Sequence, residues 1–193
     1  MKNAFKISTL LLVLLTISFG LHAQSNSIKT ASGIIYSAGL ETGISSGNFN
    51  TAYRWNIGGS LQADIPVANQ FYVNVNAGYL NFTGKDNILG TGVSAPNIRL
   101  LPATAGLKYF PISIFYVQAD AGAAFILNKN DLGYSKTAAF LYSPGIGARI
   151  PVGASSFIDA GIKYEGTTKY VSDVEDSKIN FFELRVAYAF SLK

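Results

Sequence analysis

The sequence predicts an all-β fold, a single barrel of eight antiparallel strands joined in chain order, and three observations support this prediction. First, the 193-residue chain is only 13% charged but carries 19 Gly, 11 Tyr and 13 Phe, a composition that favours β-structure with tight turns over disorder. Second, eight segments alternate regularly between apolar and polar residues. Third, short and long connections follow one another in turn, as an up-and-down meander requires.

The N-terminus has the features of a secretory signal peptide. Lys2 and Lys6 precede an apolar run at residues 7–21, and Ala23 is a small residue of the kind found at cleavage sites. The alternative is an N-terminal anchor helix, but a membrane span needs a run of about 20 apolar residues. The predicted organisation is a signal peptide at residues 1–23, an N-terminal segment at 24–32 and a barrel domain at 33–193.

The eight segments alternate with a period of two residues, which places successive side chains on opposite faces of a strand. In the clearest one, Tyr53, Trp55 and Ile57 share one face, while Arg54 and Asn56 share the other. No apolar face carries a charge. The segments are residues 34–42, 52–65, 71–79, 101–109, 115–125, 140–150, 158–165 and 182–190.

The connections give an independent test of this interpretation. Residues 66–70, 110–113 and 151–156 are short links, whereas 83–96, 127–137 and 166–178 are long, polar and glycine-rich, and 43–50 is intermediate. Tight turns therefore lie at one end of the barrel and long loops at the other. Because proline removes a ladder donor, we expect bulges or local breaks at Pro102 and Pro144.

The alternation alone fits either a soluble barrel with an apolar interior or a membrane barrel with a polar interior. Small residues such as Gly58, Gly78 and Gly106 occupy the polar faces, and they suit the narrow interior of an eight-stranded barrel. The polar-face charges are also nearly balanced, as buried charges must be. The predicted lumen charges are Glu41, Arg54, Asp64, Lys108, Asp120, Arg149, Asp159, Lys163, Glu165, Glu183 and Arg185.

Aromatic residues crowd the ends of the apolar faces, which is the pattern of the two girdles that anchor a barrel at the membrane interfaces. We therefore predict a transmembrane barrel with polar lumen, short periplasmic turns and longer extracellular loops. The predicted girdle residues are Tyr53, Trp55, Phe71, Tyr79, Tyr109, Phe115, Phe125, Phe140, Tyr164, Phe182 and Phe190.

The segments YVQADAG at residues 116–122 and FELRVAYAF at 182–190 resemble strands of the small eight-stranded outer-membrane β-barrel proteins of Gram-negative bacteria, the group that includes the OmpA membrane domain. The resemblance covers residues 33–192. It implies location in the outer membrane, contact with membrane lipid and lipopolysaccharide, and recognition of residues 182–190 by the barrel-insertion machinery. The sequence ends without a peptidoglycan-binding domain, so we expect no OmpA-type tether.

The chemistry available to the mature chain is limited. The only histidine, His22, lies in the predicted signal peptide, and there is no cysteine. Barrel enzymes of this compartment resemble one another in using a histidine as base or partner, and thiolate or histidine metal sites need the same residues. We therefore expect no enzyme activity, no catalytic residue, no metal and no cofactor.

The predicted role is structural or adhesive, with the long loops presented outside and the lumen plugged by paired charges. The acidic residues Asp173, Glu175 and Asp176 lie in one of these loops. Nucleic acid is not expected as a partner, and the extracellular partner is not identified by the sequence. Two alternatives stay open: a narrow outer-membrane channel, and a soluble periplasmic barrel that carries an apolar ligand.

Overall fold

The structure of the chain is a computed structural model that describes residues 33–86, 88–90, 92, 94–132, 134–171, 174 and 177–192. The predicted signal peptide and N-terminal segment lie outside the described residues. Eight strands pair in sequence order and the last pairs with the first, so the sheet is a closed antiparallel barrel, which confirms the predicted fold class. The strands are β1 (Ile35–Ser45), β2 (Tyr53–Ala68), β3 (Phe71–Gly84), β4 (Ile98–Tyr109), β5 (Phe115–Ile126), β6 (Ala138–Pro151), β7 (Ser156–Thr167) and β8 (Asn180–Ser191).

Tight turns and long loops lie at opposite ends of the barrel. Asn69 and Gln70 alone connect β2 to β3, and Gln70 adopts a left-handed conformation with φ of 72°. Short links also follow β4 and β6, whereas the other four connections form the long-loop end. Among the described residues of that end are the 3-10 turns Gly47–Thr51 and Ile88–Gly90 and a helical turn, α1 (Lys129–Leu132). In the described part of the chain, no helix is both long and apolar enough to cross a membrane.

The two prolines interrupt pairing without moving the register. The β3–β4 ladder passes from Ala77 opposite Ala103 to Leu80 opposite Leu100, so it skips the residues around Pro102. The β6–β7 ladder skips Pro144 in the same way. These breaks agree with the absent proline N–H donors.

A bulge near the start of β2 changes the alternation. Tyr53 lies opposite Gly84, but Asn56 lies opposite Phe82, so β2 uses one more residue than β3 over this interval. An extra residue reverses the face on which the preceding side chains lie. Tyr53 therefore points inwards, and Arg54 and Trp55 both point outwards.

Apolar side chains cover the outer wall and polar ones fill the middle of the barrel. Leu40, Leu61 and Ile146 are among the most exposed large apolar residues, and Leu40 is 76% exposed. By contrast, the charged side chains of the strands are buried, apart from those of Arg54 and Arg99. This arrangement is the reverse of a water-soluble barrel, in which the apolar side chains fill the interior.

Candidate functional site: the barrel interior and its mouth

The interior at the long-loop end is filled by an apolar plug that the strands and the loops build together. Phe82 of β3 contacts Phe49 and Phe181 edge to face, with ring centroids 5.3 and 4.9 Å apart. The loop residue Tyr170 is fully buried and donates a hydrogen bond from its hydroxyl to the Ala124 carbonyl at 2.8 Å. The apolar plug consists of Phe49, Tyr53, Leu80, Phe82, Ile98, Leu100, Ala124, Ile126, Ala139, Leu141, Tyr170, Ile179 and Phe181.

Below the apolar plug, two charge clusters span the lumen. In the upper cluster, Lys163 Nζ lies 2.8 Å from Glu165 Oε1, 2.9 Å from Glu183 Oε1 and 3.6 Å from Glu41 Oε1. Arg185 also approaches Glu41, with Nε 3.5 Å from Oε1. Three carboxylates therefore share two cations, and strands β1, β7 and β8 are cross-linked through the interior.

The lower cluster links four strands. Lys108 Nζ lies 3.2 Å from Asp64 Oδ2 and 3.4 Å from Asp159 Oδ2. The Arg149 guanidinium contacts the same two carboxylates: Nη2 donates to Asp64 Oδ2, while Nε and Nη2 donate to Asp159 Oδ2 at 3.2 and 3.1 Å. Two cations and two carboxylates thus form a closed square, and all four side chains are at least 95% buried.

Aromatic rings seal the lower cluster from the tight-turn end. The Tyr116 hydroxyl donates to Asp159 Oδ1 at 2.7 Å, and its ring lies 4.2 Å from Lys108 Nζ. The Arg149 guanidinium lies 5.0 Å from the centroid of the Phe110 ring and 5.6 Å from that of Tyr72. A cation over a ring face is stabilised when both are removed from water. These rings therefore stabilise the two cations and fill the space beneath them.

Little free volume is left between the clusters. The cavity bounded by Gln62, Tyr116, Lys163 and Arg185 measures about 10 Å³. A volume of ~10–15 Å³ is the least that holds one water molecule. Side chains therefore fill this part of the lumen.

The structure places ten of the eleven predicted lumen charges in the interior, and each of the ten is more than 90% buried. The exception is Arg54, which is exposed on the outer wall because the β2 bulge turns it outwards. This corrects the expectation of near balance, because the interior now holds four cations against six carboxylates. Asp120 is satisfied differently from the rest: it accepts hydrogen bonds from Asn74 Nδ2 at 2.8 Å and Gln118 Nε2 at 2.9 Å.

The predicted girdle needs one correction of the same origin. Tyr53 is 94% buried in the apolar plug and stacks on Phe49, with ring centroids 4.7 Å apart. The predicted girdle omits three aromatic residues of the predicted apolar faces, Tyr36, Tyr142 and Tyr188, which are also exposed on the outer wall. The remaining predicted girdle residues occupy outward positions on the strands: Trp55, Phe71, Tyr79, Tyr109, Phe115, Phe125, Phe140, Tyr164, Phe182 and Phe190.

A cavity of about 670 Å³ lies at the mouth, above the apolar plug. Its lining is mixed: Asn48, Phe49 and Thr51 come from the β1–β2 connection, Ser94 comes from the β3–β4 connection, and Tyr134 comes from the β5–β6 connection. Burial raises the pKa of the Tyr134 phenol and also that of Tyr170, whose ring centroid lies 5.6 Å away. These phenols stay neutral hydrogen-bonding groups at physiological pH.

The acidic patch at Asp173, Glu175 and Asp176 lies outside the described residues. Among the residues that the structure describes, no group of three or more His, Cys, Asp or Glu side chains has the arrangement of a metal site.

No family model and no curated protein matches the chain. Several solved structures do match the fold of the chain. The outer-membrane protein OprG of Pseudomonas aeruginosa superimposes with a TM-score of 0.55 at 12% identity, over 83% of this chain and 96% of that one. AlkL, an outer-membrane protein solved in lipid bilayers, gives a TM-score of 0.53 at 17% identity over 86% and 94%. The outer-membrane protein Ail of Yersinia pestis in a nanodisc gives 0.51 at 17% identity over 82% and 100%. The chain therefore has the fold of these small outer-membrane barrels.

Proposed function

We propose that the chain is an integral outer-membrane protein with a structural and binding role: a filled, non-conducting barrel, without enzyme activity, that presents its long loops outside the cell. The observation that carries this proposal is the distribution of polarity, with charges inside and exposed Leu, Ile and aromatic side chains outside. The strands, with 11 residues in β1 and 16 in β2, are also long enough to cross a bilayer, for which a tilted strand needs ~9–11 residues.

Secretion through residues 1–23 and insertion through the closing strand belong to the same proposal. The test is fractionation of cells followed by electrophoresis of the outer-membrane fraction with and without boiling. A folded membrane barrel resists detergent until it is heated, so its mobility should change on boiling. A protein that stays in the soluble periplasm with no change in mobility would instead favour the carrier of an apolar ligand.

A substitution on the outer wall tests the membrane placement directly. Leu40 is exposed near the middle of β1, so Leu40→Arg should cost about 2–4 kcal/mol of folding free energy in a bilayer. On a water-facing surface the same change costs almost nothing. The matched control is Val174→Arg, because Val174 is also exposed but lies in the β7–β8 connection. Equal stability of the two variants in lipid vesicles would contradict the proposal.

The filled lumen supports a barrel that does not conduct ions. The apolar plug, the two charge clusters and the rings of Tyr72, Phe110 and Tyr116 lie in series along the barrel axis. Single-channel recordings of the purified protein in planar bilayers should therefore show no conductance steps. Reproducible steps from the wild-type protein would favour the narrow channel instead.

The mouth cavity supports the binding part of the proposal, because loops on a rigid scaffold are common binding sites and its volume falls in the usual range for ligand pockets. Cells that display the wild-type protein should adhere to immobilised host or matrix proteins more strongly than cells without it. Ala95→Trp fills the cavity and should reduce this adhesion, whereas Ala121→Trp on the outer wall of β5 should not. Equal adhesion with and without the protein would reject the binding role.

A further inference from the structure

Two arginines are the only charged residues on the outward faces of the eight strands. Of the charged strand residues, ten are buried in the lumen, and Arg54 and Arg99 are exposed. Both lie at the long-loop end, Arg54 in the β2 bulge and Arg99 near the start of β4. Both are cations.

The two arginines lie on the same part of the wall, on either side of β3. Arg99 pairs with Asn81 of β3, and the bulge that holds Arg54 lies opposite the last residues of the same strand. Adjacent strands are ~4.8 Å apart, so the two backbones are separated by roughly 10 Å across the sheet. Two extended arginine side chains from these positions can approach the same head group.

Trp55 adds a membrane-interface marker next to Arg54. Its side chain is 41% exposed on the outer wall, and tryptophan prefers the level of the lipid head groups. Guanidinium groups bind phosphate through paired charge-assisted hydrogen bonds. Arg54 and Arg99 are therefore placed at the depth where lipid phosphates lie.

A shallow apolar groove lies on the same wall, farther from the long-loop end than the two arginines. Small residues form its floor, among them Gly59 and Ala77, and Leu61, Tyr79 and Leu101 form its sides. The groove consists of two adjoining hollows of about 400 and 430 Å³. Leu101 is the next outward residue after Arg99 on β4, so the groove is continuous with the charged rim.

We propose that this wall binds the lipid A part of lipopolysaccharide, with its phosphates on Arg54 and Arg99 and an acyl chain in the groove. The proposal rests on the outer-membrane placement proposed above. Lipid A is favoured over a phospholipid because the cations lie at the long-loop end, which faces the outer leaflet in that placement. The described tight-turn residues, 69–70, 110–114 and 152–155, carry no charge at all.

The chain contains a single tryptophan, Trp55, so its fluorescence reports on this site alone. The protein is folded into phosphatidylcholine vesicles whose acyl chains are brominated close to the head group, at the depth proposed for Trp55, where bromine quenches a lipid-facing tryptophan. Unbrominated lipid A is then added in increasing mole fraction. Unbrominated phosphatidylcholine relieves the quenching only by dilution. If the site is selective, lipid A should give the same relief at a mole fraction at least about tenfold lower.

Arg54→Gln combined with Arg99→Gln should abolish this selectivity, and Lys136→Gln should retain it, because Lys136 is an exposed cation of the β5–β6 connection. Dephosphorylated lipid A should lose the advantage, and phosphatidylglycerol should show less than lipid A. Selectivity that survives the double substitution, or equal relief by phosphatidylglycerol and lipid A, would overturn the site. Unchanged selectivity in Ala77→Leu would overturn the acyl-chain part.

The two proposals fail in different ways in this experiment. If brominated lipid does not quench Trp55 in the folded protein, Trp55 does not face lipid and the membrane placement itself is wrong. If brominated lipid quenches Trp55 but lipid A relieves the quenching only in proportion to its mole fraction, the placement holds and the lipid A site is rejected.

Discussion

Removing Lys108 from the lower charge cluster tests whether the lumen is held together by ion pairs. Lys108 is fully buried, and it lies within 3.4 Å of both Asp64 and Asp159. Lys108→Met keeps the length of the side chain but removes its charge. Arg149 then faces two carboxylates alone, and one negative charge stays buried without compensation.

The expected cost follows from this uncompensated charge. Breaking a buried ion pair by removing one partner costs about 3–5 kcal/mol. Removing a carboxylate as well should recover part of the loss, because Arg149 and Asp159 then remain as a one-to-one pair. Lys108→Met combined with Asp64→Asn should therefore cost less than the sum of the single changes, by at least about 1 kcal/mol.

The assay is urea unfolding in phospholipid vesicles, followed by the fluorescence of Trp55, the only tryptophan. Lys136→Met is the matched control, since it removes a lysine that is exposed in a loop, and it should change stability by less than about 0.5 kcal/mol. A Lys108→Met protein within 1 kcal/mol of wild type would refute the reasoning. The reasoning would also be refuted if the destabilisation of the double variant equalled the sum of the effects of Lys108→Met and Asp64→Asn.

Three further outcomes are expected. Phe82→Ala should destabilise the barrel by about 3–5 kcal/mol in the same assay, because Phe82 is fully buried between Phe49 and Phe181. A loss below 1 kcal/mol would mean that the apolar plug does not support the fold. Burial raises the pKa of the Tyr170 phenol, so above about pH 10 this phenol ionises in the unfolded chain before it ionises in the folded barrel. The free energy of unfolding should therefore fall as the pH rises beyond that point, and it should fall less in Tyr170→Phe. The chain has no cysteine, so Arg54→Cys should react with a water-soluble maleimide and Asn56→Cys should not; the reverse order would place the β2 bulge elsewhere.

The sequence predicted the strands, their order and most of the interior charges for a simple physical reason. A strand with one face in lipid and one in a narrow polar lumen must alternate, and residues 115–122 and 182–186 do so. Alternating short and long links then leave the up-and-down order as the simplest connection. Ten buried charges follow directly from that alternation.

The apolar plug could not be predicted from the same pattern. Near the long-loop end both faces of a strand are apolar, as at Phe181 and Phe182, so the alternation that distinguishes inside from outside disappears. Phe181 is fully buried, while Phe182 is 48% exposed. Tyr170 and Phe49 enter the plug from connections, and sequence periodicity says nothing about where a loop side chain packs.

The β2 bulge explains why the one charge predicted wrongly and the one girdle residue predicted wrongly are neighbours. Tyr53, Trp55 and Ile57 alternate perfectly in the sequence, but an inserted residue leaves no trace in such a pattern because it changes the pairing and not the order of residues. The same bulge buries Tyr53 against Phe49 and exposes Arg54 beside Trp55. The β2 bulge therefore contributes to both faces of the barrel wall. Inside, it completes the apolar plug, and outside, it supplies one of the two cations of the proposed lipid A site. A change that removes the bulge should weaken folding and lipid selectivity together, whereas Arg54→Gln, which leaves the backbone intact, should weaken the selectivity alone.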